Sequence, residues 1–206
     1  MYIKYFGNEN ANKVFIQLSD ERELPIIEES LSKCESTDYL LAVVIVDDWN
    51  KDLSPWKAPG VFGEDFGDGA DKTLDWVLNN LIDKDTNKNY YLIGYSLAGL
   101  FALYSAYKTD VFSGIAAVSP SVWFPGFVPF CKEGNILTKN VYLSLGDKEH
   151  KTRNAEMAKV KDSIEEIYKD LKKKEINCVL EYNPGNHFKD VGERMTKGLV
   201  WLLSNA

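Results

Sequence analysis

From Val14 to Leu203 the chain alternates short apolar runs with longer stretches whose apolar residues recur at helical spacing. No other feature restricts its fold so strongly. Val14-Phe15-Ile16-Gln17-Leu18 reads as a strand, and Pro25 opens a helix carrying Ile27, Leu31 and Cys34 on one face. Leu40 to Val46 is apolar throughout, as a strand covered on both faces should be. A loop rich in Pro, Gly, Asp and aromatics runs from Asp47 to about Gly69, and Leu74, Val77, Leu78, Leu81 and Ile82 mark the next helix. Tyr90 to Ile93 is a strand followed by a helix to about Tyr107, and Gly114 to Val118, Val141 to Leu145 and Cys178 to Tyr182 are further strands. Met157, Val160, Ile164, Ile167 and Leu171 share one helical face, and a last helix spans about Val191 to Leu203. Repeated strand–helix alternation predicts an α/β fold. A mostly parallel sheet is covered by helices on both faces, in a single domain over 1–206.

Composition narrows the function. A net charge of −7 and a pI near 5.0 disfavour nucleic acid as a partner. The Lys-rich stretch from Lys169 to Lys174 alternates with acidic and apolar residues, as a solvated helix face does. No run approaches the roughly 18 apolar residues of a membrane span. The first ten residues lack the basic start and apolar core of a signal peptide. Cys34, Cys131 and Cys178 are far apart, odd in number and without metal-ligand spacing. The expectation is a cytoplasmic protein with reduced thiols, no membrane partner, no metal and no cofactor.

One segment carries chemistry. Gly94-Tyr95-Ser96-Leu97-Ala98-Gly99 lies between a strand and a helix, the setting a nucleophile elbow requires. The turn is so sharp that the residues two before and two after the serine nearly touch. They must be small, and here they are Gly94 and Ala98. Gly-x-Ser-x-[Gly/Ala] occurs by chance in about one chain in seven of this length, so the setting matters more than the motif. The elbow exposes the Ser96 hydroxyl and leaves the backbone N–H of Leu97 facing a developing oxyanion.

A serine nucleophile needs a base. Of the two histidines, His187 sits in the loop Asn183-Pro184-Gly185-Asn186-His187-Phe188, after the last strand and at the same sheet edge. His150 lies in the preceding loop. Gly146-Asp147-Lys148-Glu149 offers the carboxylate that orients the imidazole, giving the hydrolase order Ser, acid, His. Glu149 is favoured, because it stands three residues beyond the glycine that ends its strand and so curls back over the sheet edge. Asp147 is the alternative. A second oxyanion N–H is expected near Ser19 or Asp20, after the first predicted strand.

At these residues the chain resembles the esterase D group of the α/β-hydrolases, which includes enterochelin-type siderophore esterases, formylglutathione hydrolase-like enzymes and mycolyltransferases. The resemblance covers about Asn12 to Leu203. It rests on the elbow and its helix, on Ser119-Pro120-Ser121-Val122-Trp123-Phe124, and on Pro184-Gly185-Asn186-His187. The chain departs from the group's pattern in its short length, in lacking some N-terminal strands and in Ala98. The resemblance places Trp123 and Phe124 near the sheet edge. Trp49, Trp56 and Phe62 would form an opposite wall, an aromatic pocket for the acyl or aryl part of an ester. It implies a carboxylic-ester hydrolase acting on a small molecule through an acyl-enzyme on Ser96. An acyltransferase using the same triad and a catalytically silent binding module are the alternatives.

Overall fold

The computed structural model describes residues 1–32, 38–61, 63–83 and 87–205. Cys34 and Phe62 lie outside them. The strands are β1 (Tyr2–Gly7), β2 (Lys13–Ser19), β3 (Leu40–Ile45), β4 (Asn89–Tyr95), β5 (Phe112–Val118), β6 (Asn140–Gly146) and β7 (Asn177–Asn183). The helices are α1 (Leu24–Ser32), α2 (Trp49–Asp52), α3 (Ala70–Leu81), α4 (Leu97–Ser105), α5 (Phe127–Glu133), α6 (Val160–Lys173) and α7 (Val191–Asn205).

The strands form one seven-stranded sheet in the order β1-β3-β2-β4-β5-β6-β7. All neighbours run parallel except β1, which pairs antiparallel with β3. The N-terminus therefore adds an edge strand that the sequence pattern did not reveal. Its side chains are mostly exposed, so no apolar run or clean alternation marks it.

Side chains alternate across the inner strands and feed two cores. Val14, Ile16 and Leu18 of β2 join Leu92, Ile115 and Leu143 on the face covered by α3, α4, α5 and α6. Phe15, Tyr91, Ile93, Ala116 and Tyr142 face the other way, against α1 and α7. Every residue of α4 is buried, so this short helix is a core element and its N-terminus is fixed firmly below the sheet edge.

The connection from β2 to β3 leaves in one direction, and the chain returns past β2 to place β4 on its other side. The carboxyl ends of β2 and β4 therefore flank a topological switch point, where open α/β sheets leave a crevice. The segments leaving those ends begin with Asp20 and Ser96.

Helix α7 lies very close to the sheet because it crosses it at Gly198. A Cβ there would stand 3.0 Å from Ala116 Cβ and 3.2 Å from Tyr142 Cδ1. Both obstacles are held by the core, so there is little room to yield. We expect Gly198→Val to cost about 1–3 kcal/mol through overpacking. A lowered urea midpoint with an unchanged slope would show it; an unchanged midpoint would refute this account of the crossing.

Candidate active site

Ser96 occupies the single-residue turn between β4 and α4 with φ 57° and ψ −119°. A non-glycine residue is held there only by its surroundings. Ser96 N donates to Val118 O at 3.1 Å, and Ser96 O accepts from Leu100 N and Ser121 N, each at 3.0 Å. A Cβ on Gly94 would lie 2.2 Å from Ala98 O, so only glycine fits two residues before the serine. Ala98, fully buried, fills the second small position.

His187 Nε2 lies 3.0 Å from Ser96 Oγ, and its Nδ1 lies 2.7 Å from Glu149 Oε2. A continuous path of hydrogen bonds thus runs from hydroxyl to imidazole to carboxylate. Of the two carboxylates weighed from the sequence, Glu149 makes this contact. Asp147 is exposed and accepts from Gly185 N at 2.7 Å instead. It braces the turn that carries His187, in which Gly185 adopts φ 106°. The ring nitrogen Nδ1 of His150 is buried without a hydrogen-bond partner, and no contact joins it to Ser96 among the described residues.

The Glu149 side chain is 3% exposed. Its Oε1 accepts from Gly146 N at 2.6 Å, Ser119 Oγ at 2.7 Å and Arg194 Nη1 at 3.0 Å. Burial pushes its carboxyl pKa up. The bonds and charge of His187, with the bonds from Ser119 and Gly146 N–H, outweigh burial and leave it below 4.5. Ser119 reaches it from the end of β5 in left-handed geometry, φ 44°. Tyr95 Oη donates to His187 O, tying the elbow strand to the histidine loop.

The open cleft above Ser96 has a volume of about 790 Å³. Its walls carry the carboxylates of Asp20, Glu23, Asp47, Asp48 and Glu64, with Arg22 as a cation and Trp49 and Phe188 as aromatics. Asp20 is turned toward Arg22, whose backbone N–H, Nε and Nη2 all donate to it at 2.8 Å. Both oxygens of its carboxylate are thereby engaged by Arg22. Burial pushes the Glu23 carboxyl up, offset in part by the Ser19 hydroxyl that donates to it at 2.8 Å. Ser19 itself is fully buried. The Leu97 N–H opens α4 beside Ser96.

The aromatic pocket expected from the sequence is corrected in most of its members. Trp49 does line the cleft. Trp56 packs on Phe124, Phe127 and Phe130 and donates Nε1 to Pro125 O at 2.9 Å. Phe124 is 2% exposed. Trp123 packs on Phe66 and lines a separate recess with Pro59 and Val61. These side chains bind the long loop to the core, because burying large rings there releases more free energy than leaving them on a cleft wall. The sequence reading missed Arg194, Ser119, Tyr95 and Phe188. Arg194 had left a signal: it falls on the stripe Val191, Met195, Gly198, Leu199, Leu202, where a charge implies a buried partner.

Comparison with known proteins gives the class of fold. No family model matches the sequence, and no curated protein matches it. Solved structures do. The siderophore hydrolase EstA from Aspergillus nidulans is similar with a TM-score of 0.75 at 20% identity, over 97% of this chain and 86% of that one. The enterobactin esterase FES from Shigella flexneri gives 0.70 at 15% identity, over 98% of this chain but 55% of that one. This chain thus spans little more than half of that protein. Zea mays acyl-protein thioesterase 2 gives 0.66 at 14% identity, over 99% and 98% of the two chains. The protein has the α/β-hydrolase fold.

Among the described residues no helix is long and apolar enough to cross a membrane, and no group of His, Cys, Asp and Glu is arranged to hold a metal ion. Cys131 and Cys178 are buried free thiols.

Because Glu149 has a lower pKa folded than unfolded, the folded chain binds fewer protons there. The stability it contributes is full above about pH 4.5 and is lost as pH falls through the lower folded value. Glu149→Gln leaves Arg194 without its counter-charge and is expected to cost about 3 kcal/mol at pH 7. Urea titrations should show that cost level down to about pH 4.5 and shrinking below it. A cost independent of pH would contradict the ionised, paired carboxylate.

Proposed function

We propose that the protein is a carboxylic-ester hydrolase that works through an acyl-enzyme on Ser96. The observation that carries this reading is the hydrogen-bonded series Ser96 Oγ, His187, Glu149, with contacts of 3.0 and 2.7 Å. His187 Nε2 takes the hydroxyl proton as Ser96 attacks the ester carbonyl. Glu149 accepts the hydrogen bond from His187 Nδ1–H and stabilises the imidazolium. The developing oxyanion is met by the Leu97 N–H and by a backbone N–H at Ser19 or Asp20, across the switch point. The imidazolium gives its proton to the departing alcohol. The neutral imidazole then takes a proton from the water that adds to the acyl carbonyl, and returns it to Ser96 Oγ as the ester bond to Ser96 breaks and the carboxylic acid is released.

The neighbours in fold support this class of chemistry, since their names record a siderophore hydrolase, an enterobactin esterase and an acyl-protein thioesterase. The openness of the cleft suits a small-molecule ester. Its acidic walls favour neutral or cationic substrates over anionic ones, and more so at low ionic strength.

A fluorophosphonate probe tests the nucleophile. It should label the wild type at Ser96 and fail on Ser96→Ala, which should also lose about 10³-fold or more in kcat on aryl esters. Absence of labelling would favour a silent binding module, and product analysis with competing alcohols separates a hydrolase from an acyltransferase. Residual activity of Ser96→Ala within about tenfold of wild type would sink the assignment.

The two carboxylates should separate in the same assay. Glu149→Gln is expected to lower kcat by about 10²–10⁴-fold. Asp147→Asn only loosens a turn and should cost less than about tenfold. The opposite pattern would transfer the role to Asp147.

A further inference from the structure

Arg194 is 1% exposed, the largest of the fully buried side chains. Taking a guanidinium out of water costs several kcal/mol unless its donors are matched. Here the donors of both Nη atoms are matched by one particular set of groups. Nη1 donates to Glu149 Oε1 at 3.0 Å and to Ser119 Oγ and Tyr95 Oη, each at 3.3 Å. Nη2 donates to Pro184 O at 3.1 Å and Asn186 O at 3.0 Å. Nε is buried without a partner. Glu149 is the acid of the proposed relay, and Pro184 and Asn186 belong to the loop that delivers His187. Tyr95 immediately precedes Ser96. One planar fork therefore touches every segment that the relay joins.

We propose that Arg194 is a positioning residue of the hydrolytic site. It fixes Glu149 and the His187 loop against each other and, as a buried positive charge beside Glu149, restrains the carboxylate from drawing a proton onto the imidazole. This rests on the reading of Ser96, His187 and Glu149 as the hydrolytic machinery.

The electrostatic part follows from the neighbours of the ring. A carboxylate 2.7 Å from a histidine, acting alone, favours imidazolium, which is useless as a base. Arg194 Nη1, 3.0 Å from Glu149 Oε1, offsets part of the carboxylate charge that acts on the ring. The other titratable groups facing the ring are Tyr95, from the end of β4, and the cleft-wall carboxylates, which act through water and are screened. Substituting Arg194 leaves all of them in place. The positioning part needs the fork itself. A lysine would supply the charge but could not reach the carboxylate and two carbonyls from fixed angles.

The chain contains two histidines, so their rings can be titrated individually by NMR, with His150→Gln assigning the second signal. In Arg194→Gln the His187 midpoint should rise by about one pH unit. In Arg194→Lys it should stay near wild type. Labelling of Ser96 by a fluorophosphonate should slow at least tenfold in both, from loss of the fork. A midpoint in folded Arg194→Gln that matches wild type, with labelling at the wild-type rate, overturns the proposal. If Arg194→Gln fails to fold, Arg194→Lys decides. Slow labelling with an unmoved midpoint supports the positioning role, and labelling at the wild-type rate overturns it. A wild type that is not labelled refutes the hydrolytic reading instead, while the NMR midpoints still report whether Arg194 governs His187.

Discussion

A carboxylate that is 3% exposed stays ionised only if the protein replaces the water it has lost. Glu149 sets this requirement, and meeting it organises the carboxyl edge of the sheet. Its donors come from the end of β5 through Ser119, from the end of β6 through Gly146, from α7 through Arg194 and from the loop after β7 through His187. Elements far apart in the chain converge on two oxygen atoms. The cores on either side of the sheet make this convergence affordable, because they hold the strand ends in place.

Close approach is the means. Gly146 is one example: a Cβ there would lie 2.5 Å from Gly185 O and 2.8 Å from Glu149 Oε1. Gly198 does the same for α7, whose distance from the sheet decides whether the Arg194 guanidinium reaches the carboxylate. Side-chain absence at these points is as much a part of the site as the side chains that touch.

Much of this was legible in the sequence, and what was not has physical reasons. The inner strands announced themselves because burial on both faces demands continuous apolar runs. The elbow announced itself because its geometry excludes all but small residues at Gly94 and Ala98. Glu149 could be preferred to Asp147 from the reach needed to turn back over the sheet edge. Strand β1 escaped because an exposed edge strand needs no apolar pattern. Helix α5 escaped because it is seven residues long with Pro129 inside it. The pocket aromatics were misplaced for a different reason. Type and position in the chain identify a large ring, but only packing decides whether it lines a cleft or fills a core. Phe124 and Trp56 fill one, whereas Phe188, 82% exposed beside His187, stands on the cleft wall.

The φ of 57° at Ser96 has a consequence for how such a protein can change over time. A glycine at that position would adopt the same backbone without the strain a Cβ incurs, so giving up the proposed nucleophile relieves that strain. The proposed chemistry and the relaxed backbone therefore pull the residue at this position in opposite directions. A lineage released from the need for catalysis would drift toward an inert, sturdier scaffold with the cleft still open for binding.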